Sequence, residues 1–181
     1  MGTLRQPSPG ALIVAATFAD EAVLNTALAG LTAQYGPLAM QSDVFDFTMT
    51  DYYAAEMGSI LKKRFICFER LVELESLPDI KLFTNALELE FAKESPVNPL
   101  RTVNLDPGYV TLSKLVLATT KDYSHRVYIG KGICGEVTLR FLHGTFTPID
   151  HTYPDYRLPL AIGFFNRVRE WLKEGRNESA G

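Results

Sequence analysis

The polar groups with chemistry to offer are concentrated between Arg101 and Arg140. Asn104, Asp106, Lys114, Thr120, Lys121, Asp122, His125, Arg126, Glu136 and Arg140 alternate there with apolar residues suited to a core. A core-forming segment so rich in charge either turns one sheet face to water or lines a site. The hydroxyls and cations of TTKDYSHR, with Thr120, Lys121, His125 and Arg126, suit a phosphate cradle, and a histidine titrates near neutral pH as an acid or base. The alternative is ordinary turn chemistry, with the hydroxyls capping backbone groups.

HRVYIGKGICGEVTLRF reads as a hairpin about Gly130-Lys131-Gly132. Alternation along its second strand puts Cys134, Glu136, Thr138 and Arg140 on one face, where Arg126 and Tyr128 can join them. Such a face holds an anion through arginine forks, with Glu136 orienting them or acting as base. A solvated face laced with weak ion pairs is the competing reading. In NLDPGY, Pro107 and Gly108 suit the centre of a type II turn, which would place Asn104 and Asp106 at a strand end. DYYAAEMG and TYPDYR are tyrosine-rich loops. Tyr53 and Tyr156 can stack on a base or sugar, with Arg157 adding a cation, or the rings only staple loops to the sheet.

Metal chemistry is not indicated. His125, His143 and His151 have no zinc spacing, and Asp51, Glu56 and Asp155 follow no known ligand pattern. Cys67 and Cys134 sit in apolar strand-like runs, where a buried reduced thiol is the common outcome. No cofactor is named by any motif. A net charge of −3 argues against DNA and other broad nucleic-acid binding. The longest apolar run, ALIVAATF, is far short of the ~20 residues that span a bilayer, and Gln6 stands where a myristoylation signal needs Ser or Thr. The expectation is a cytoplasmic protein without a membrane partner.

These residues need a scaffold, and 181 residues at 46% hydrophobic and 22% charged predict one globular domain over 1–181, with flexible tails at 1–10 and 174–181. ALIVAATF predicts a strand buried on both faces. Asp20 caps a helix with a stripe of Leu24, Leu28, Leu31 and Tyr35 that Gly36-Pro37 stops. A strand follows in LAMQSDVFDF, a helical turn in 51–60, a third strand in KKRFICFERLV, a helix over Leu77 to Lys93, and a fourth strand from RTVNL. LSKLVLATT fits a short helix or a strand. The last helix carries Ala161, Phe165, Val168 and Leu172 on one stripe. The fold class is α+β: a ferredoxin-like βαββαβ core, both helices on one sheet face, with a C-terminal β-hairpin and closing helix. The other face must be polar or be covered, and the C-terminal third is available to cover it.

The phrases FDFTMTDYYAAEMG, IKLFTNALE, RTVNLDPGYVTLSKLVLATTKDYSHRVYIGKGICGEVTLRF and TYPDYR resemble the bacterial family of domains of unknown function DUF4416 over nearly the whole chain. The resemblance implies a small stand-alone bacterial protein and brings no catalytic residues with it. Some members are labelled GTP-binding. The chain has no GxxxxGK[ST] loop, and its first strand-helix junction, TFADEAV, is acidic and lacks glycine, so that label finds no support here.

Two functions from different classes fit. One is a binder, or enzyme, for a phosphorylated or otherwise anionic small molecule, nucleotide-like in character. Lys114, Lys121, His125, Arg126 and Arg140 would hold the charge, Asp106 and Glu136 would handle protons or a divalent ion, and His125 could also act as acid or base. The other is a non-catalytic module that docks a protein or RNA partner.

Overall fold

The computed structural model describes residues 3–4, 6–49, 54–58, 60–94 and 100–178. Among them nine strands form one antiparallel sheet. They are β1 (Gly10–Phe18), β2 (Leu38–Gln41), β3 (Phe45–Asp46), β4 (Lys62–Val72), β5 (Val103–Val110), β6 (Lys114–Thr119), β7 (Val127–Gly130), β8 (Ile133–Leu142) and β9 (Thr145–Pro148). The order across the sheet is β2-β4-β1-β5-β6-β8-β7, with β3 also on β4 and β9 also on β8. The helices are α1 (Glu21–Tyr35), the single turn α2 (Ala54–Met57), α3 (Leu77–Glu90) and α4 (Pro159–Glu178).

β1 is buried throughout because both its faces are covered. Leu12, Val14, Ala16 and Phe18 pack with Leu24, Leu31, Ile80 and Leu87 of α1 and α3. Ala11, Ile13 and Ala15 pack on the opposite side with Ala161, Phe164, Phe165 and Val168 of α4. The closing helix therefore covers the second face, and its stripe of Ala161, Phe165, Val168 and Leu172 is at most 2% exposed. Asp20 caps α1 by accepting from Ala22 N at 2.8 Å. Both cysteines are buried, and neither is in a disulfide.

Several elements differ from the sequence reading. LAMQSDVFDF makes two short strands, with Ser42 between them: its N–H donates to Phe65 O at 2.9 Å, but its Oγ in place of its carbonyl accepts from Phe65 N at 3.0 Å. α3 ends at Glu90, before Lys93, and α4 runs from Pro159 to Glu178. Of the two readings of LSKLVLATT, a short helix or a strand, the strand is the one that forms, as β6. The expected NLDPGY turn does not form: Pro107 and Gly108 lie inside β5, opposite Val14 and Ile13 of β1.

That proline decides where the sheet opens. β5 pairs with β1 along its full length but with β6 only at Gly108, Tyr109 and Val110. Alternate residues of an antiparallel strand aim their amides at the same neighbour, so Leu105, Pro107 and Tyr109 all face the β6 side. Pro107 has no N–H to donate, and the ladder stops there. At Gly108 the strands are so close that a Cβ would lie 2.3 Å from Val116 O. Continued pairing would set Asp106 opposite Thr119 and Asn104 opposite Lys121. The strands part instead.

The exposed edge of β5 is satisfied by α3. Glu88 Oε1 accepts from Leu105 N at 2.6 Å, and Lys81 Nζ donates to Leu105 O at 3.1 Å. These two side chains substitute for a neighbouring strand, since a buried unpaired amide costs about 1–3 kcal/mol.

Candidate functional site

A cleft of about 610 Å³ occupies the gap between β5 and β6. Asn104 and Asp106 come from β5, and Leu117, Ala118, Thr119, Thr120 and Lys121 from the end of β6. Lys63 reaches it from β4 and Lys81 and Asn85 from α3, while Glu136 of β8 and Arg126, just ahead of β7, complete the far wall. Tyr153, Pro154, Asp155 and Tyr156, ahead of α4, form another wall.

Three ion-paired clusters organise the lining. Asp106 Oδ1 lies 3.3 Å from Lys81 Nζ, and its Oδ2 accepts from Asn104 Nδ2 at 2.7 Å. Asn104 Oδ1 in turn accepts from Arg101 Nη1 at 2.8 Å, and Arg101 Nε donates to Glu56 Oε2 at 2.7 Å. In the second cluster Glu136 Oε2 receives His125 Nε2 at 2.9 Å and Arg126 Nε at 3.1 Å. Arg126 also donates to Lys121 O at 3.0 Å and to Tyr153 Oη at 2.5 Å, and its guanidinium carbon sits 4.6 Å from the Tyr123 ring centre. In the third, Lys63 Nζ lies 2.6 Å from Asp155 Oδ2, inside a cage of Phe47, Phe65 and Tyr156 rings.

A family model described as a domain of unknown function, DUF4416, matches residues 8–172. The chain belongs to the DUF4416 family. No curated protein and no solved structure matches it.

Charge states in this DUF4416 cleft follow from the local fields. Burial alone would raise the Asp106 carboxyl, but Lys81, Lys63 and the Asn104 amide together hold it below the usual carboxylate range. It is ionised at neutral pH. Burial pushes Glu88 up to about 6, against smaller opposing effects of Lys81, the Leu105 amide and Arg101. Tyr153 is raised by burial and by the neighbouring Glu136, so it stays a neutral donor. Glu136 is thus surrounded by His125, Arg126 and Tyr153. Donors on all sides fit an anchor that fixes Arg126 better than they fit a mobile base.

Of the residues singled out from sequence, Asp106, Thr120, Lys121, Arg126, Glu136 and Tyr156 line this one cleft. His125 stands behind Glu136 and stacks on His151 at 4.2 Å. Lys114 and Arg140 are not brought there. They face each other across β6 and β8, both exposed. Thr138 is an extra residue where β8 shifts register, between the pairs Val116↔Val137 and Leu115↔Leu139, and this reverses the alternation. Leu139 consequently takes the buried face and Arg140 the other. Arg157 is a staple, donating to the carbonyls of Thr152 at 2.9 Å and Ile149 at 2.7 Å. Tyr53 lies outside the described residues, as do Tyr52 and Asp51. Among the described residues no group of three His, Cys, Asp or Glu is arranged to hold a metal.

Sequence reasoning passed over Lys63, Lys81, Asn85 and Arg101. Two signals were present. Lys63 has the parity of Phe65 and Cys67, the apolar face of β4, and Lys81, Thr84 and Glu88 make a polar stripe at helical spacing beside Leu77, Ile80 and Leu87.

Proposed function

We propose that the cleft binds a small phosphorylated or otherwise anionic molecule. What supports this reading is the meeting of Lys63, Lys81, Arg101, Lys121 and Arg126 with the Thr119 and Thr120 hydroxyls around one concavity in a chain of net charge −3. The guanidinium of Arg126, fixed on four sides, is pre-oriented to receive an oxyanion, which lowers the ordering entropy of binding. Asp106 offers an ionised acceptor beside it. The remaining walls, with Phe47, Met49 and Pro154, suit the apolar part of a ligand.

The test is thermal denaturation against nucleotides, sugar phosphates and inorganic phosphate. Ligand at 100 times its Kd stabilises the fold by about 2.7 kcal/mol, a clear rise in Tm. Lys121→Ala and Thr120→Val should erase that rise while leaving the unliganded Tm near wild type. A flat response across the library refutes the reading.

One observation favours the docking alternative. The edge strand β7 exposes Val127 by 69% and Tyr128 by 66%, a short apolar edge fit for a macromolecular partner. Co-purification of a stoichiometric partner that Val127→Lys abolishes would support it. We further read β2-β4-β1-β5 with α1 and α3 as a ferredoxin-like unit, to which β6–β9 and α4 are added, and place the protein in the bacterial cytoplasm. Cell fractionation tests the location.

A further inference from the structure

We propose that Lys63 forms a Schiff base with the ligand of the cleft, which therefore carries a ketone or aldehyde carbonyl near its anionic group. The inference rests on the small-molecule reading above and narrows it to carbonyl compounds. Lys63 is only 4% exposed, yet its side chain lines the cleft. Burying an ammonium with its carboxylate is seldom a net gain in stability over an apolar pair, so its place at the foot of a cleft calls for a use. Asp155, itself 3% exposed, sets Oδ2 2.6 Å from Nζ, and that oxygen takes no well-formed hydrogen bond from any described group. It is a proton acceptor at contact distance from a buried amine, and desolvation of the kind Lys63 undergoes here is what activates a lysine nucleophile.

The step balances with these two residues alone. The ammonium gives one proton to Asp155. The free amine adds to the carbonyl carbon, and a second nitrogen proton passes to the oxygen, giving a neutral carbinolamine. Asp155 then returns its proton to the hydroxyl, water leaves, and a protonated imine remains. One ammonium and one carbonyl become one iminium and one water.

The surroundings suit this product. An iminium keeps the positive charge, so the ion pair with Asp155 and the attraction of the Phe47, Tyr156 and Phe65 rings, at 4.9, 5.2 and 5.9 Å, persist after the reaction. Lys81 cannot serve as well. Its Nζ holds both Leu105 O and Asp106 Oδ1, and an iminium nitrogen with one hydrogen would release one of them.

The test is borohydride reduction of the full chain with pyruvate, glycolaldehyde and glyceraldehyde 3-phosphate as probes, followed by peptide mapping. The expected result is one adduct per chain, on Lys63, formed about tenfold faster than on exposed Lys62 or Lys114 and competed by inorganic phosphate. Lys63→Arg, which keeps a cation for Asp155, should fold and lose the adduct. Mapping on the wild-type chain needs no variant to fold. Adducts spread evenly over exposed lysines, or none on Lys63, overturn the proposal. If anionic compounds still raise Tm in that case, only the carbonyl chemistry fails and the binding cleft stands. If they do not, both fail.

Discussion

Replacing Glu88 by glutamine should change the pH dependence of stability in a way that reports the open edge of β5. Glu88 is 4% exposed and accepts from Leu105 N at 2.6 Å, while its other oxygen lies 3.6 Å from Arg101 Nη1. Burial lifts its carboxyl from 4.5 to about 6. At about 1.4 kcal/mol per unit, ionising it in the fold carries a penalty of about 2 kcal/mol. The raised value means that the native state holds this proton more tightly than the unfolded chain. Its contribution is fully present below pH 4.5 and is lost as pH rises through about 6. Glutamine keeps a carbonyl acceptor for Leu105 N and has no proton to release. Urea denaturation of both proteins from pH 4 to pH 8 should therefore show the variant gaining about 2 kcal/mol on wild type across that window. Glu88→Ala, which leaves the amide without an acceptor, should lose about 1–3 kcal/mol at pH 5, where the glutamine variant stays close to wild type. A difference between wild type and Glu88→Gln that stays constant over the whole range refutes the reasoning.

Other expectations follow from the same geometry. Lys81→Met strands Leu105 O and the Asp106 carboxylate together and should cost about 2–4 kcal/mol in chemical denaturation. Gly108→Ala drives a methyl into Val116 O, 2.3 Å away, and should cost about 3 kcal/mol or more with loss of amide protection in β5 and β6. Arg140→Ala and Lys114→Ala should shift stability by no more than about 0.5 kcal/mol and leave ligand-induced Tm changes intact, since both side chains are exposed and away from the cleft.

How much of this was legible in the sequence depended on whether the determinant was local. ALIVAATF announced a doubly buried strand, and the stripe from Ala161 to Leu172 announced α4, because composition and period suffice for both. Asp106 and Glu136 stand out as charges within apolar strands, Lys121 and Arg126 as cations in the loop between β6 and β7, and the fold gathers them. Lys114 and Arg140 stood out equally, but they pair at the end of β6 away from the cleft, and one extra residue at Thr138 turns Arg140 to the other face, a bulge having no signature in alternation alone. Pro107-Gly108 carries the residue types of a turn. Only the presence of β1 on one side and a departing β6 on the other makes it a strand that ends a ladder. Lys63 and Lys81 were hidden for a related reason, since a lysine in a strand or helix reads as solvated until its partners Asp155 and Asp106, distant in sequence, are brought beside it.

The most direct test is NMR amide mapping of the whole chain titrated with a phosphorylated library compound that raises its Tm. The account requires perturbed amides at Thr119, Thr120, Lys121 and Asp106 and in the segment from Tyr153 to Tyr156, with β7 and the Lys114–Arg140 end unchanged. Shifts confined to β7, or a library with no stabilising compound, would contradict a small-molecule cleft between β5 and β6.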